Sequence, residues 1–141
     1  HLVRVLAVWM LGPLAFFALL PADIIIHFFI HPDPQLAGRH MIIPIVGSGC
    51  AVIAFELFKL SGINFYMTAT SISNWRPLFL VGAIASVINS IMSSLVYQGL
   101  IMPEETLLLL GNYLVGDILG LFIGLLVLMG LIRLLRLNAA R

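Results

Sequence analysis

The residue best placed to do chemistry in this chain is Asp117, a carboxylate within a long apolar segment. The segment has about 25 mostly apolar residues, which is enough to cross a bilayer as one helix. A charge in hydrocarbon is costly, so such a residue normally has a partner or a function. Two roles are open for Asp117: a structural polar contact with a neighbouring helix, which we favour, or a proton- or ligand-binding site inside a helical bundle.

The apolar segment before it supplies a partner for Asp117. A short turn at Pro103 would make the last two helices antiparallel neighbours, and folding the chain there places Asn89 level with Asp117. Small residues also recur at every fourth position on both helices, a pattern that lets membrane helices approach closely. We therefore predict an intramembrane polar pair, Asp117 and Asn89, beside a helix-packing seam. The seam comprises Gly82, Ser86, Ser90 and Ser94 on one helix and Asn112, Gly116, Gly120 and Gly124 on the other.

A second group of polar residues lies near the end of the first apolar segment. Asp23, His27 and His31 are spaced by four residues, so one helix face would carry all three. Histidines at this spacing can bind a metal ion. However, Pro32 and Pro34 interrupt helical geometry where such a site would close. These three residues are only weak candidates for metal ligands, and we predict no metal site. We also predict no cofactor. A bound lipid is compatible with the sequence.

The remaining residues argue against an enzyme. No serine of the third helix has a histidine nearby in sequence or at a matching depth, so no nucleophile–base pair is indicated. The glycines of the last helix lie in an apolar segment, which excludes a phosphate-binding loop. Seven Lys and Arg residues spread over 141 positions give no patch for nucleic acid. Cys50 stands alone and is interpreted as a small buried apolar residue.

Composition identifies the class of protein. Hydrophobic residues make up 62% of the chain and charged residues 9%, whereas soluble domains carry roughly 25% charged residues. We predict an all-α integral membrane protein, a single transmembrane bundle covering residues 1–141. Its four transmembrane helices are expected at about 2–20 with an apolar tail to 30, 41–58, 78–101 and 106–135. Gly12 and Pro13 are expected to kink the first helix.

The basic residues predict an orientation. With four spans, six of them fall on one side of the membrane, namely Arg4, Lys59, Arg76, Arg133, Arg136 and Arg141. Only Arg39 falls on the other side. Because Lys and Arg are enriched on the cytoplasmic side, both termini are predicted to be cytoplasmic.

One part of the chain resembles a known family. The segment from Ser73-Asn74-Trp75-Arg76-Pro77 to Gly116-Asp117-Ile118-Leu119-Gly120 is similar to the last part of the bacterial membrane-associated sensor domain, type one. In that family a loop leads into a small-residue helix and then into a helix with a Gly-Asp-x-Leu-Gly-like signature. The resemblance covers about half of the chain and implies a membrane-embedded sensory role.

Two functions are therefore weighed. The first is a non-catalytic accessory or scaffolding subunit that packs, together with membrane lipids, against other transmembrane subunits of a larger complex. Gly47, Gly49 and Ala51 form a small-residue face that would receive a partner helix, or else pack within the bundle. A photosynthetic or respiratory assembly of a bacterial inner membrane would be a suitable host. The alternative is a sensor or small-ligand-binding module that acts with a separate effector. A transport component is less favoured, because no second ionisable residue is expected at the depth of Asp117.

Overall fold

The computed structural model describes residues 1–30, 41–67, 75–97 and 103–139. Five α-helices occupy most of these ranges: α1 (Leu2–Leu11), α2 (Ala15–Ile30), α3 (Ile42–Leu60), α4 (Trp75–Tyr97) and α5 (Pro103–Ala139). A single 3-10 turn, Gly12–Leu14, joins α1 to α2. Within the described ranges there is no β-strand.

By length and composition, four helical segments could cross a membrane: Leu2–Phe29, which the turn at Gly12–Leu14 interrupts, Ile42–Leu60, Arg76–Val96 and Leu110–Leu135. The prediction of an all-helical protein with four such segments is confirmed. The expected spans 41–58, 78–101 and 106–135 overlap α3, α4 and α5, although residues 98–101 lie outside the described ranges. The side of the membrane on which each end lies stays a prediction.

The first apolar segment departs from the predicted single, kinked crossing. Nη2 of Arg4 on α1 lies 3.1 Å from Oδ1 of Asp23 on α2. A straight helix rises about 1.5 Å per residue, so nineteen positions would place these residues about 28 Å apart. The chain must therefore turn back between them, and α1 packs against α2 as well as against α3, α4 and α5. Arg4 consequently lies beside Asp23, inside the bundle.

The turn between α1 and α2 depends on a glycine and a proline. Gly12 has φ 64° and ψ −151°, a conformation that is essentially restricted to glycine. Pro13 follows at the start of the 3-10 turn, where its missing N–H would have no helical partner in any case. The two residues therefore reverse the chain direction, instead of only bending a continuous helix.

Helix α2 continues through Pro21 and Asp23 and ends at Ile30, so the predicted apolar tail to residue 30 is part of the helix. Proline removes one backbone hydrogen bond from a helix, but it does not end α2. The Asp23 carboxylate is neutralised by Arg4, so its charge does not force this position into water.

The core lies where α1 meets α3, α4 and α5. Its buried apolar side chains include Val5 and Val8 of α1, Phe55 of α3, Val81 of α4, and Leu121 and Leu125 of α5. The short segment after α3 closes one end of this core. There the Met67 N–H donates to the Trp9 carbonyl at 3.0 Å, and the Tyr66 ring stacks on Phe55.

Candidate functional site

The Asp117 carboxylate is contacted by side chains from two other helices. Asn89 Nδ2 of α4 donates a hydrogen bond of 3.0 Å to Asp117 Oδ2, as the folding of the chain at Pro103 predicts. His1, which immediately precedes α1, places Nδ1 3.4 Å from the same carboxylate oxygen. The His1 side chain is 1% exposed and the Asp117 side chain 19% exposed, so the pair is largely shielded from solvent.

His1 was not expected from the sequence. The prediction that no second ionisable residue lies at the depth of Asp117 is wrong, because the chain reversal at Gly12 turns α1 back into the bundle. The ring is fixed from its other side, since His1 Nε2 lies 3.2 Å from the Gly82 carbonyl oxygen. The Gly12-Pro13 pair could have indicated the chain reversal, because Gly-Pro pairs occur at turns as well as at helix kinks.

A second polar cluster joins α1, α2 and α3. The Asp23 carboxylate accepts a hydrogen bond from Arg4 through Oδ1 and another from Ser48 Oγ at 2.7 Å through Oδ2. Gly47 makes room for this arrangement, because a Cβ atom there would lie 3.0 Å from Arg4 Nη2. The cluster neutralises both charges and ties α1 to its two neighbours.

This second cluster changes the interpretation of the weak metal candidates. Asp23 directs its carboxylate at Arg4 and Ser48. His27 makes another interaction within the protein, and His31 lies outside the described residues. No group of three potential metal ligands occurs in the part of the chain that the structure describes.

The predicted packing seam is formed only in part. Ser86 and Ser90 are buried on α4, and Gly82 is buried against Leu121. Ser94 donates instead to the Ile91 carbonyl of its own helix. Gly82 of α4 therefore packs against a large side chain of α5 rather than against a small residue.

On α5 the seam prediction is wrong for three of four positions. Asn112, Gly116 and Gly120 are exposed, and no described neighbouring atom lies within 4 Å of a Cβ atom built on either glycine. Gly124 packs, but against Leu2 of α1 and not against Gly82. Burying Leu121 and Leu125 removes more apolar area than burying glycines would, and the rotation of α5 that buries them turns the glycines outward.

The small-residue face of α3 is also used inside the bundle. The Arg4 guanidinium fills the space beside Gly47, and Ala51 is fully buried. A Cβ atom on Gly49 would lie 3.7 Å from the Phe16 ring. These residues are therefore not available to a partner helix. Of the two possibilities left open by the sequence, packing within the bundle is the one observed.

An apolar cavity of about 320 Å³ lies between α2, α3 and α4. Its lining includes Phe16, Gly49, Cys50, Ile88 and Met92. The Cys50 thiol donates to the Gly47 carbonyl at 3.1 Å, which leaves an almost wholly apolar wall. Such a lining suits a hydrocarbon chain or another apolar molecule.

One further polar contact lies at the end of α3. Tyr66 Oη donates a hydrogen bond of 2.6 Å to Glu56 Oε1, and Lys59 Nζ lies 3.6 Å from the same oxygen. The Glu56–Lys59 pairing follows the helical spacing in the sequence. Burial and the neighbouring Glu56 carboxylate raise the pKa of Tyr66 above its ordinary value of 10.0, because both disfavour a second negative charge.

Comparison of the chain with protein-family models, with curated proteins and with solved structures finds no match. The resemblance to the membrane-associated sensor domain accordingly stays a prediction based on its short signature.

Proposed function

We propose that this protein is a non-catalytic accessory or scaffolding subunit that docks onto another transmembrane subunit through α5. The observation that carries the proposal is the exposed face formed by Asn112, Gly116 and Gly120, here named the glycine face. These residues are spaced by four along a segment long and apolar enough to span a membrane. They occupy one side of that helix and point away from the described bundle.

A glycine face of this kind is costly unless a second helix covers it. Each glycine inside a helix lowers the stability of the helix by about 1 kcal/mol relative to alanine. Facing lipid, a glycine also offers little surface for packing. Against another helix it allows close backbone approach. The Asn112 side chain adds an amide that can hydrogen-bond to a polar group on an opposing helix.

The suitable partner is a transmembrane helix with its own small residues at the matching depth. A bacterial inner-membrane assembly of the photosynthetic or respiratory kind, with many packed helices, would supply such a surface. The two ionic clusters support this role indirectly, because Arg4–Asp23 and His1–Asp117 link helices of this chain to one another. A bundle held together in this way would present α5 as a preformed docking element.

Photo-crosslinking in the native membrane tests the proposal. A photoreactive amino acid at position 120 is expected to form an adduct with one other membrane protein. Val115 is 56% exposed on another side of α5. The same photoreactive group at position 115 should therefore label mainly lipid. The Gly116→Leu variant, with its crosslinker at position 120, should lose most of the protein adduct. Gly130→Leu is the matched control, because Gly130 is also exposed but lies ten positions from Gly120, or about 15 Å along the helix.

Two results would contradict the subunit proposal. Lipid adducts alone from position 120 would show that nothing docks on the glycine face. An adduct of twice the chain's mass would indicate self-association instead of assembly with a different subunit.

The apolar cavity favours a second candidate, a small-ligand-binding or sensor module that acts with a separate effector. A lipid chain or apolar ligand in this cavity would contact α2, α3 and α4 at once, so its binding could alter their packing. Native mass spectrometry should then show a bound apolar molecule. Gly49→Phe, which places a ring beside Phe16, should displace it, while Leu60→Phe at a highly exposed position outside the cavity should not. Equal retention by both variants would remove the support for this candidate.

A further inference from the structure

The hydrogen-bonding partners of His1 determine where its ring protons lie. Nε2 is 3.2 Å from the carbonyl oxygen of Gly82. A carbonyl oxygen can only accept a hydrogen bond, so Nε2 must carry a hydrogen. If the ring is neutral, Nδ1 is then an unprotonated acceptor.

The other side of the ring faces a second acceptor. Nδ1 lies 3.4 Å from Asp117 Oδ2, which already accepts a hydrogen bond from Asn89. An ionised carboxylate and a bare Nδ1 would place two lone pairs against each other in a region where His1 is almost fully buried. Nδ1 has no hydrogen-bond partner among the described residues, so its 3.4 Å contact with Oδ2 is close without being a hydrogen bond. One additional proton between the two atoms removes this conflict.

We propose that His1 and Asp117 form a proton-binding site inside the helical bundle. The site holds one proton between Nδ1 and Oδ2, either as imidazolium with carboxylate or as imidazole with carboxylic acid. Both forms have the same atoms and no net charge. Release of the proton leaves a neutral imidazole beside an ionised carboxylate.

The surroundings of the pair fit a site that exchanges its proton. Ser86 and Ser90 lie on the same α4 face as Asn89, are 0% and 1% exposed, and have no hydrogen-bond partner for their hydroxyl groups among the described residues. A serine hydroxyl can both donate and accept. Two such groups give this face of α4 a polar lining, and buried hydroxyl groups are normally hydrogen-bonded.

Other charged and ionisable groups lie in the same part of the interior. The Cys50 thiol of α3 is acted on by Arg4, by Asp117 and by the α-amino group of His1, so these groups lie in one region. Arg4 is paired with Asp23 of α2, and the interior face of α4 contributes uncharged Asn and Ser side chains.

Proton binding would also control how α1 sits on α5. The described contacts between these helices centre on His1 with Asp117 and on Leu2 over Gly124. With the proton present, the first contact is attractive. When the pH rises far enough to release it, the contact becomes repulsive, and the start of α1 should move away from α5. The site thus links protonation to the position of one helix.

The test uses the purified full chain in lipid nanodiscs, with ¹⁵N-labelled histidine and ¹³C-labelled aspartate. NMR of wild-type protein should show a His1 ring with hydrogen on Nε2 and a proton at Nδ1 or on the Asp117 carboxyl group, lost in one step as the pH is raised. His1→Gln assigns the ring signal. Asp117→Asn should shift the step to lower pH, because the ring then loses the carboxylate that shares its proton, whereas Asp23→Asn should leave the step unchanged.

Three results would overturn the proposal. One is a wild-type Nδ1 that is bare beside an ionised Asp117 throughout the pH range. Another is a titration step that lies at the same pH in Asp117→Asn as in the wild type. The third is an Asp117 signal that responds to sodium concentration and not to pH, which would assign the site to a metal cation. The wild-type titration decides the matter even if a variant folds poorly.

Discussion

The Arg4 guanidinium lies 3.1 Å from the Asp23 carboxylate, and Ser48 binds the second oxygen of that carboxylate at 2.7 Å. This contact joins three helices at one point and is possible only because the chain reverses at Gly12. Gly47 leaves the space that the guanidinium occupies. The fold of the first thirty residues therefore depends on a buried polar contact as much as on apolar packing.

Removing one partner of this contact should destabilise the protein strongly. Loss of one member of a buried ion pair lowers the free energy of unfolding by about 3–5 kcal/mol. The side chains of Arg4 and Asp23 are 28% and 16% exposed. Because the pair is only partly buried, we expect Arg4→Met to cost about 3 kcal/mol, the lower end of that range. Unfolding by a denaturing detergent, followed by circular dichroism, measures the change. The double variant Arg4→Met/Asp23→Leu should regain much of the loss, because no unpaired charge remains.

The exposed pair of Glu56 and Lys59 provides the control. Lys59→Met should change the free energy of unfolding by less than about 1 kcal/mol, since surface ion pairs contribute little. Equal effects of Arg4→Met and Lys59→Met would contradict the assigned role of the buried pair.

Gly12 offers a test of the chain reversal itself. Alanine cannot readily adopt φ 64° with ψ −151°, so Gly12→Ala should destabilise the fold by about 1–3 kcal/mol. Gly130→Ala should have the opposite sign, a gain of about 1 kcal/mol, because Gly130 is helical and has open space around its Cα atom. The same unfolding measurement serves both variants. A neutral Gly12→Ala would mean that the reversal does not require this backbone conformation.

Much of the architecture could be predicted from the sequence. Long apolar segments determine that the chain is helical and locate α3, α4 and α5, since only helices satisfy every backbone group within one apolar segment. The short connection at Pro103 also pairs Asn89 with Asp117, as the structure shows. These features depend on local composition and on the shortest way of folding the chain.

The missed features depend on long-range geometry. Gly12-Pro13 is compatible with both a kink and a reversal, and only the contacts of Arg4 and His1 with other helices distinguish them. Likewise, four-residue spacing shows that Gly116 and Gly120 share a face of α5, but it does not say which way that face points. The burial of Leu121 decides the rotation, and that depends on how well it fits against Gly82.

Tyr66 should make the protein sensitive to alkaline pH. Its pKa is raised in the folded state by burial and by Glu56, relative to 10.0 when unfolded. The corresponding stability is fully present below pH 10.0 and decreases as the pH rises from there toward the folded-state pKa. Wild-type protein should therefore lose stability above this pH, and Tyr66→Phe should lose less over the same range.

At neutral pH the same substitution removes a hydrogen bond to a charged group. Tyr66→Phe should then cost about 1.5–3 kcal/mol, although the stacking on Phe55 is retained. Subtracting the two pH profiles of the free energy of unfolding isolates the contribution of the Tyr66 hydroxyl group. Parallel profiles above pH 10.0 would contradict the assigned perturbation of Tyr66.

The contact between Gly82 and Leu121 allows the packing of α4 on α5 to be tested directly. A Cβ atom on Gly82 would collide with the Leu121 side chain, so Gly82→Ala should overpack the interface and cost about 1–3 kcal/mol. Leu121→Ala alone should cost about 2–5 kcal/mol by leaving a cavity. In the double variant the new methyl group partly fills that cavity, so its loss should be smaller than the sum of the single losses. Gly111→Ala, at an open position of α5, is the control and should be mildly stabilising. Additive losses in this cycle would show that the two residues do not touch, and that α5 is rotated differently against α4.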